Sequence, residues 1–358
     1  MHVGLRCRVG SEGVGMSGIC HGLWIRLVIH SWWTLGSMVN ATNRSIHISG
    51  YAKIREASFS SQRHAVVTGG NKGIGLEICR QLASKGVTVV LTSRDQKRGL
   101  EAVCKLKEES SVTLSGEVVF HKLDVTNSAS IDSLAEFIRT QFGKLDILVN
   151  NAAIVGTVID YVALTGAVER VGGLPTDDCE WKMMANQNYQ LAVECLETNY
   201  YGPKRVTEAL LPLLQQSNSA RIVNVSSVSG LLQNIPGKSI RDALGDIENL
   251  TKDRIDKIFK DFLGDLQQGQ LEAKGWPENM SAYKLSKAAL NAYTRLLAKD
   301  FPSILVNSVC PGFVKTDMTG NNGFLSAAEG AESPVHLALL PETGPSGLFF
   351  SKKEVSNL

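Results

Sequence analysis

The stretch TGGNKGIG, at residues 68–75, lies between a short apolar run at 64–67 and a helical pattern at 76–85. A strand, a glycine-rich turn and a helix in this order are typical of a dinucleotide-binding unit. Gly69, Gly73 and Gly75 have no Cβ, so the backbone can turn tightly and let a pyrophosphate approach. The N–H groups and positive dipole end of the following helix would face those phosphates. Glycine turns also join strands to helices without a ligand, so the interpretation depends on the downstream sequence.

Apolar runs and helical patterns alternate along the rest of the chain. Strands are predicted at 87–92, 118–123, 145–149, 221–225 and 305–309, and helices at 96–109, 131–142 and 206–214. This alternation predicts an α/β fold built on a doubly wound parallel sheet. In the helix predicted at 96–109, Leu100, Val103, Cys104 and Lys107 lie along one side.

Length and composition exclude several classes of protein. The chain has 358 residues, enough for one large α/β domain or two small ones, and its 43% of hydrophobic residues is ordinary for a globular protein with a full core. A net charge of +2 gives no reason to expect nucleic acid or an anionic membrane as a partner. No charge-free apolar stretch is long enough for a transmembrane helix. The seven scattered cysteines favour reduced thiols in a cytoplasmic protein and predict neither a disulfide framework nor a metal site.

The first 63 residues differ from the rest of the chain. They show no sustained helical or strand periodicity and are rich in Gly, Ser, Arg and His. We therefore expect residues 1–63 to form a disordered extension that precedes a single domain at 64–358. Few acidic residues precede Glu56, which leaves an organelle transit peptide open as the alternative.

Residues at the ends of the second and third strands bear on the choice of cofactor. An acid at the tip of the second strand would bind a ribose 2′-hydroxyl, whereas a basic residue there accepts a 2′-phosphate. Ser93 occupies the acid's position and Arg94 follows, with Lys72 as a second positive charge, so NADP(H) is favoured over NAD. The alternative is that Arg94 is only a solvated surface residue. Asp124 could bind the adenine amino group or cap the helix that starts near Ser128.

The fourth strand runs into Asn150-Asn151-Ala152-Ala153, and here the chain resembles the short-chain dehydrogenase/reductase family. Both this stretch and the turn at 68–75 match the family, although Ala153 stands where glycine is usual. The resemblance implies a Rossmann fold in which Asn150 stabilises the sheet and Ala152 lines the cofactor cleft. The cofactor-binding positions that it implies, together with those derived above, are Thr68, Gly69, Asn71, Lys72, Gly73, Ile74, Gly75, Arg94, Asp124, Val125, Asn151, Ala152, Tyr283, Lys287, Pro311, Gly312, Val314 and Thr316.

Four further positions match the family's catalytic residues in the family's order. Tyr283 and Lys287 lie one helical turn apart, so they share a helix face. By resemblance Tyr283 is the proton donor and Lys287 lowers its pKa and binds the nicotinamide ribose. The resemblance also implies that Ser227, rather than its neighbour Ser226, binds the carbonyl oxygen. Asn199 would hold a water molecule in a proton relay; the alternative is a structural asparagine bonded to nearby backbone.

The loop after the sixth strand reads PGFVKTD at residues 311–317. The family uses this loop to hold the nicotinamide carboxamide and the phosphates, through the positions that match Val314 and Thr316. The resemblance extends over residues 64–358.

A long segment separates the serine from the tyrosine. Ser227 and Tyr283 are 56 positions apart, whereas most members of the family have about a dozen residues there. This segment, 228–280, resembles the carbonyl-reductase branch of the family. The implied activity is NADPH-dependent reduction of a small hydrophobic ketone or aldehyde, terpenoid or alkaloid-like, or oxidation of the corresponding secondary alcohol. Alternatives are a catalytically silent nucleotide-binding scaffold and a sugar epimerase, for which the region after Thr316 is short.

The same segment carries apolar residues at helical spacing, with charged residues on the other side. These residues are Ile240, Leu244, Ile247, Leu250, Ile255, Ile258, Phe259, Phe262, Leu263 and Leu266. They are expected to form packed helices, either filling core or making a dimer contact. In the branch that the chain resembles, these helices cover the flank used for dimerisation, which predicts a monomer.

Overall fold

A computed structural model describes residues 62–108, 114–175 and 177–357. Except for its last two residues, the extension predicted at 1–63 lies outside the described part of the chain. The strands are β1 His64–Val67, β2 Thr88–Ser93, β3 Val118–Lys122, β4 Ile147–Asn150, β5 Val158–Ile159, β6 Ala185–Asn186, β7 Arg221–Val225, β8 Leu305–Cys310, β9 Phe349–Ser351 and β10 Glu354–Ser356.

Eight of these strands form one central sheet, in the order β3-β2-β1-β4-β7-β8-β9-β10. All neighbouring strands are parallel except β9 and β10, which are antiparallel. The order reverses between β1 and β4, so the sheet is wound in both directions from its centre. The predicted doubly wound α/β fold is confirmed, and the sequence patterns missed β9, β10 and the small β5–β6 pair.

Helices cover both faces of the sheet. They are α1 Gly73–Ser84, α2 Gln96–Glu108, α3 Ser128–Gln141, α4 Tyr161–Val171, α5 Asp178–Met184, α6 Tyr189–Leu196, α7 Gly202–Leu214, α8 Lys238–Gly245, α9 Lys252–Gln267, α10 Ser281–Asp300 and α11 Ala327–Ala338. A short π-helix, Glu197–Tyr201, joins α6 to α7. No helix in the described ranges is long and apolar enough to cross a membrane.

The period-2 alternation of β1 divides the core into two layers. Val66 packs with residues of α3, α7 and α10 on one face, whereas Ala65 and Val67 pack with residues of α1, α2 and α11 on the other. All four β1 residues are buried, which is typical of a parallel strand covered on both sides. The carboxyl ends of β1, β4, β7 and β8 therefore open at one edge, where ligands bind in this class of sheet.

Of the four residues that the sequence places along one side of α2, only Val103 is buried. Its buried residues are Gly99, Ala102, Val103 and Leu106, while Leu100 and Cys104 are exposed. The reason lies at Gly99, where a Cβ would come within 2.0 Å of the Phe120 ring on β3. The phenyl ring fills the space of the absent side chain, and the helix is turned so that glycine faces the sheet.

The predicted helices between Ser227 and Tyr283 are present as α8 and α9. Leu244, Ile255 and Phe262 have no exposed surface, and Phe259 is 2% exposed. The Phe259 ring packs edge-on against Tyr200 and Tyr201, with centroids 5.0 and 5.7 Å apart. The apolar stripe thus packs against the π-helix and fills core.

Candidate active site

The glycine-rich turn is bonded to the strand end that carries Asn151 and Ala152. The Thr68 hydroxyl oxygen accepts hydrogen bonds from the backbone N–H groups of Asn151 (2.9 Å) and Ala152 (3.0 Å). The Asn151 amide donates to the carbonyl oxygens of Thr68 (2.9 Å) and Gly69 (3.2 Å). A Cβ on Gly69 would lie 3.1 Å from the Ala152 Cα. Thr68, Gly69, Asn151 and Ala152 therefore form one rigid wall of the cleft.

Next to this wall is a cradle that suits a pyrophosphate. A Cβ on Gly75 would lie 2.3 Å from the Gly69 carbonyl oxygen, and one on Gly73 would lie 3.3 Å from the Thr316 methyl group. Helix α1 starts here without a side-chain cap and without an acidic residue in its first turn. Its first N–H groups can therefore bind an anion. The turn, Asn71 included, fits the phosphates of a dinucleotide, while Ile74 packs against the core.

Lys72 lies in the glycine turn, at the N-cap position of α1. Its ammonium group forms an ion pair with Asp317, with 2.6 Å between Nζ and Oδ2, and this pair lowers the pKa of Asp317. The two side chains are 60% and 72% exposed, and exposed pairs of this kind are weak. The Lys72 charge therefore joins the glycine turn to the loop after β8, and its role as a second positive charge for the cofactor stays a prediction.

Arg94, directly after the end of β2, exposes its basic side chain to solvent. Ser93 is buried, and its hydroxyl oxygen accepts a bond from the Asp95 N–H. The Asp95 carboxylate accepts a bond from the Arg98 N–H (3.0 Å) and also pairs with the Arg98 side chain. Arg94 is exposed at the strand end. The acid in this turn is engaged in starting α2, and the arginine is available to a ligand.

Asp124 is not the cap of the helix that follows. Its carboxylate accepts hydrogen bonds from the N–H and hydroxyl groups of Thr126. Burial raises the pKa of Asp124, but these bonds and the nearby Arg94 charge outweigh it and keep the pKa below the usual value. Asn127 caps α3 by accepting from the Ser130 N–H (2.9 Å). The side chain of Val125 packs against Gly202, so contact with a cofactor would involve its backbone.

Tyr283, Lys287 and Ser227 meet at the carboxyl edge of β7. Tyr283 and Lys287 lie on the first turns of α10, and Ser227 follows β7. The Ser227 hydroxyl lies within hydrogen-bonding reach of the Tyr283 hydroxyl. Lys287 is 3% exposed, with its Nζ 2.8 Å from the Val225 carbonyl oxygen and 5.8 Å from the centroid of the Tyr283 ring. Ser226 instead points inward to the Lys287 carbonyl oxygen.

The pKa values in this group differ from the expectation that Lys287 lowers that of Tyr283. Burial raises the pKa of Tyr283, and the bond with Ser227 only partly opposes this effect. Burial also lowers the pKa of Lys287 to about 8. The lysine faces the Val225 carbonyl rather than the phenol oxygen, so desolvation dominates both groups. At neutral pH the tyrosine is therefore a protonated phenol and the lysine is mostly charged.

Asn199 lies within the π-helix and has no exposed surface. Its amide oxygen accepts from the Ile154 N–H (2.9 Å), and its amide nitrogen donates to the Ile154 carbonyl (2.8 Å). The nitrogen also reaches the Ser286 hydroxyl (3.2 Å), which donates to the Tyr283 carbonyl. The side chain thus clamps the loop after β4 to the turn that carries Tyr283. In an α-helix the Asn199 carbonyl would bond the N–H of residue 203, but proline has none.

Below the cleft, a buried chain of polar side chains crosses the sheet. The Asn150 amide donates to Asn224 (2.9 Å), and the Asn224 amide donates to the Thr294 hydroxyl on α10 (2.9 Å). Buried amides without partners are costly, so this chain fixes the lateral position of α10 against β4 and β7. Asn150 therefore joins β4 to β7 and stabilises the sheet, as the resemblance implied.

The loop after β8 forms the outer wall. Gly312, which follows Pro311, has φ +94°, and a Cβ there would lie 2.7 Å from Leu325. Val314 is buried against Gly330 of α11, so its side chain faces away from the cleft. Helix α4 is attached to the outside of this wall, because the Tyr161 hydroxyl donates a hydrogen bond to the Met318 carbonyl oxygen (3.0 Å).

Comparison with known proteins decides the family. A family model described as "short chain dehydrogenase" matches residues 63–239, and one described as "Enoyl-(Acyl carrier protein) reductase" matches residues 270–342. A Saponaria officinalis protein named short-chain dehydrogenase/reductase 1 is 57% identical, over 84% of this chain and 98% of the relative. This chain belongs to the short-chain dehydrogenase/reductase family.

Two further relatives of this dehydrogenase/reductase carry more specific names. A (+)-neomenthol dehydrogenase from Arabidopsis thaliana is 55% identical, over 82% of this chain and 97% of the relative. The solved structure of salutaridine reductase from Papaver somniferum matches with a TM-score of 0.75 and 49% identity, over 81% of this chain and 99% of that one. The protein is accordingly an oxidoreductase that acts on carbonyl or alcohol groups.

Two residues at this reductase site carried no sequence signal. Gln187 lies between β6 and α6 and reaches the first turn of α10, and Met280 precedes α10 with a left-handed backbone (φ +46°). Neither belongs to a motif, because both depend on which segments the fold brings together. Among the described residues, no cluster of three or more His, Cys, Asp or Glu could hold a metal ion.

Proposed function

We propose that this protein is an NADPH-dependent carbonyl reductase for small hydrophobic ketones or aldehydes, terpenoid or alkaloid-like, working in reverse as an alcohol dehydrogenase. The proposal rests on one observation. Tyr283, Ser227 and Lys287 lie close together at the edge of the sheet that also carries the glycine cradle. A protonated phenol and a hydroxyl group side by side suit a carbonyl oxygen that is gaining negative charge.

The chemistry divides into a hydride and a proton. NADPH, when bound, supplies the hydride for the carbonyl carbon. Tyr283 gives its proton to the carbonyl oxygen, and Ser227 donates a hydrogen bond to the same oxygen. The phenolate that remains is stabilised by the Lys287 charge, whose Nζ is 5.8 Å from the ring centroid. A water on the Asn199 carbonyl would return the proton from solvent through Lys287.

A panel of ketones and aldehydes, scored by NADPH oxidation at 340 nm, tests this proposal. Cyclic terpenoid ketones are expected to be turned over, and small hydrophilic aldehydes to be poor substrates. A silent scaffold would bind NADPH and oxidise it with no member of the panel.

Cofactor choice is expected to depend on Arg94, because its exposed guanidinium is free to pair with a 2′-phosphate. Arg94→Ala should raise the Kd for NADPH by about 10- to 100-fold, the loss of one or two charge-assisted bonds, and leave the Kd for NADH within threefold. The measurement is fluorescence titration with each cofactor. Lys72→Ala, added to Arg94→Ala, should increase the loss, because the exposed Lys72 ammonium group can exchange Asp317 for the phosphate.

Arg139→Ala is the matched control, since Arg139 is an exposed arginine paired with Glu136 on α3. This variant should bind both cofactors as the wild type does. Equal losses of NADPH and NADH affinity in Arg94→Ala would contradict the 2′-phosphate assignment.

We also infer that the protein is a monomer. The edge-on contacts of Phe259 with Tyr200 and Tyr201 of the π-helix support this inference, because α9 packs onto the protein's own core there. Light scattering at micromolar concentration is expected to give a particle near 38.8 kDa. A mass twice as large would mean that another surface mediates dimerisation.

The free thiols of buried Cys79, Cys195 and Cys310 support a reducing compartment such as the cytoplasm.

A further inference from the structure

The start of helix α10, which carries Tyr283, is held from outside the helix. Met280 occupies the N-cap position and makes no side-chain cap bond. Its backbone is left-handed (φ +46°), a conformation that a non-glycine residue keeps only when its surroundings enforce it. The first N–H groups of a helix need partners from elsewhere. The position of Tyr283 therefore depends on what surrounds this first turn.

Those surroundings belong to the outer lobe, which we define as residues 157–187. Its apolar cluster of Leu164, Ala167, Val168, Trp181 and Met184 receives the Met280 side chain. Lys182 of the lobe forms an ion pair with Glu278, two residues before Met280. The lobe thus contacts the strained residue itself and the chain just before it.

Gln187, at the end of the lobe, makes the contact nearest to the tyrosine. Its amide oxygen accepts a hydrogen bond from the Ala282 N–H (3.3 Å), and its amide nitrogen donates to the Gly156 carbonyl oxygen (2.9 Å). Ala282 directly precedes Tyr283. One amide group therefore joins the first turn of the catalytic helix to the loop after β4.

The Gly156 end of this bridge is fixed. Gly156 is buried with φ +65°, and a Cβ there would lie 2.3 Å from the Cys195 Cβ. Two residues earlier, both backbone groups of Ile154 are bonded by Asn199. Gln187 therefore links Tyr283 to the same loop that Asn199 holds from the other side.

We propose that Gln187 is a positioning residue that sets the place of the Tyr283 hydroxyl by capping Ala282 from the outer lobe. This inference rests on the proposed function, in which Tyr283 is the proton donor. Small displacements of a reacting group reduce the rate steeply while leaving ligand contacts elsewhere unchanged. Loss of the Gln187 bonds should therefore lower kcat and leave the Kd for NADPH unchanged.

Gln187→Leu, which keeps the size of the side chain and removes both bonds, tests the proposal. We expect kcat with a ketone substrate to fall about tenfold or more, with the Kd for NADPH within twofold of wild type. Gln187→Glu keeps an acceptor for the Ala282 N–H and should keep kcat within about threefold. The matched control is Gln190→Leu, because Gln190 is exposed and bonds only Glu194 along its own helix.

Several outcomes would overturn the proposal. A kcat for Gln187→Leu within twofold of wild type would do so, as would an equal loss in Gln187→Glu. A rise in KM for the ketone at unchanged kcat would show that Gln187 only shapes the substrate site. If Gln187→Leu does not fold, Gln187→Asn, one methylene too short to span both partners, replaces it with the same expectations.

A measurement without turnover separates this proposal from the proposed function. With ¹³Cζ-labelled tyrosine, the Tyr283 signal is assigned by its loss in Tyr283→Phe. That signal should shift in Gln187→Leu and stay in place in Gln190→Leu, and an unmoved signal in Gln187→Leu would contradict the positioning role. Full activity in Tyr283→Phe would instead contradict the proposed function. The comparison of the Tyr283 signal between wild type and Gln187→Leu does not depend on that result.

Discussion

Tyr283→Phe is expected to lower kcat for carbonyl reduction by about 10²- to 10⁴-fold, the usual contribution of a positioned proton donor. The substitution removes one oxygen atom and leaves the ring in place beside Lys287. Burial keeps the phenol of Tyr283 protonated by raising its pKa, so the proton that the substitution removes is present in wild type. The rate, and not the fold or the cofactor site, should respond.

The control measurements for Tyr283→Phe are the melting temperature and the Kd for NADPH, both expected to stay close to wild type. A second control is Tyr293→Phe on the same helix, whose buried hydroxyl group lies among Tyr200 and its neighbours. That variant should retain turnover. Retention of most of the wild-type rate by Tyr283→Phe would remove Tyr283 from the mechanism.

Lys287→Met is expected to impair both cofactor binding and rate. The ammonium group is buried, and it is the positive charge that would stabilise the Tyr283 phenolate. We expect kcat to fall by about 10²-fold or more and NADPH binding to weaken about tenfold, as for one lost charge-assisted contact. Lys299→Met on the same helix, an exposed lysine paired with Glu248, is the control and should match wild type.

The lowered pKa of Lys287 adds a pH dependence to this prediction. The group is charged below its pKa and neutral above it, and burial has brought that pKa to about 8. Wild-type affinity for NADPH should therefore decrease as the pH rises through about 8. In Lys287→Met this decrease should be absent. A wild-type affinity that is flat between pH 7 and 9.5 would show that the lysine charge is not used in binding.

The sequence predicted those parts of the site that depend on local geometry. The glycine turn needs missing Cβ atoms, as the 2.3 Å approach at Gly75 shows, and Tyr283 and Lys287 share a face because a helix repeats every 3.6 residues. The residues that follow β1, β4, β7 and β8 lie close together as expected, since the carboxyl ends of parallel strands share one edge of the sheet. These features could be predicted because each follows from spacing alone.

Features that depend on distant segments were missed. The apolar pattern of α2 did not indicate that Gly99 faces the sheet, because that orientation depends on the Phe120 ring of β3. The pairing of Lys72 with Asp317, 245 positions away, carried no sequence signal. Strands β9 and β10 have three residues each, too few for a period-2 pattern.

The most direct test of carbonyl reduction at this site follows deuterium from the cofactor to the product. The full chain is incubated with a ketone that it turns over and with NADPH carrying deuterium at either C4 position, and the alcohol is analysed by mass spectrometry. One of the two labelled cofactors should give an alcohol one mass unit heavier, with the label on the former carbonyl carbon, and Tyr283→Phe should give almost none. An unlabelled alcohol from both cofactors, or equal label transfer by Tyr283→Phe, would contradict hydride transfer at this site with Tyr283 as the proton donor.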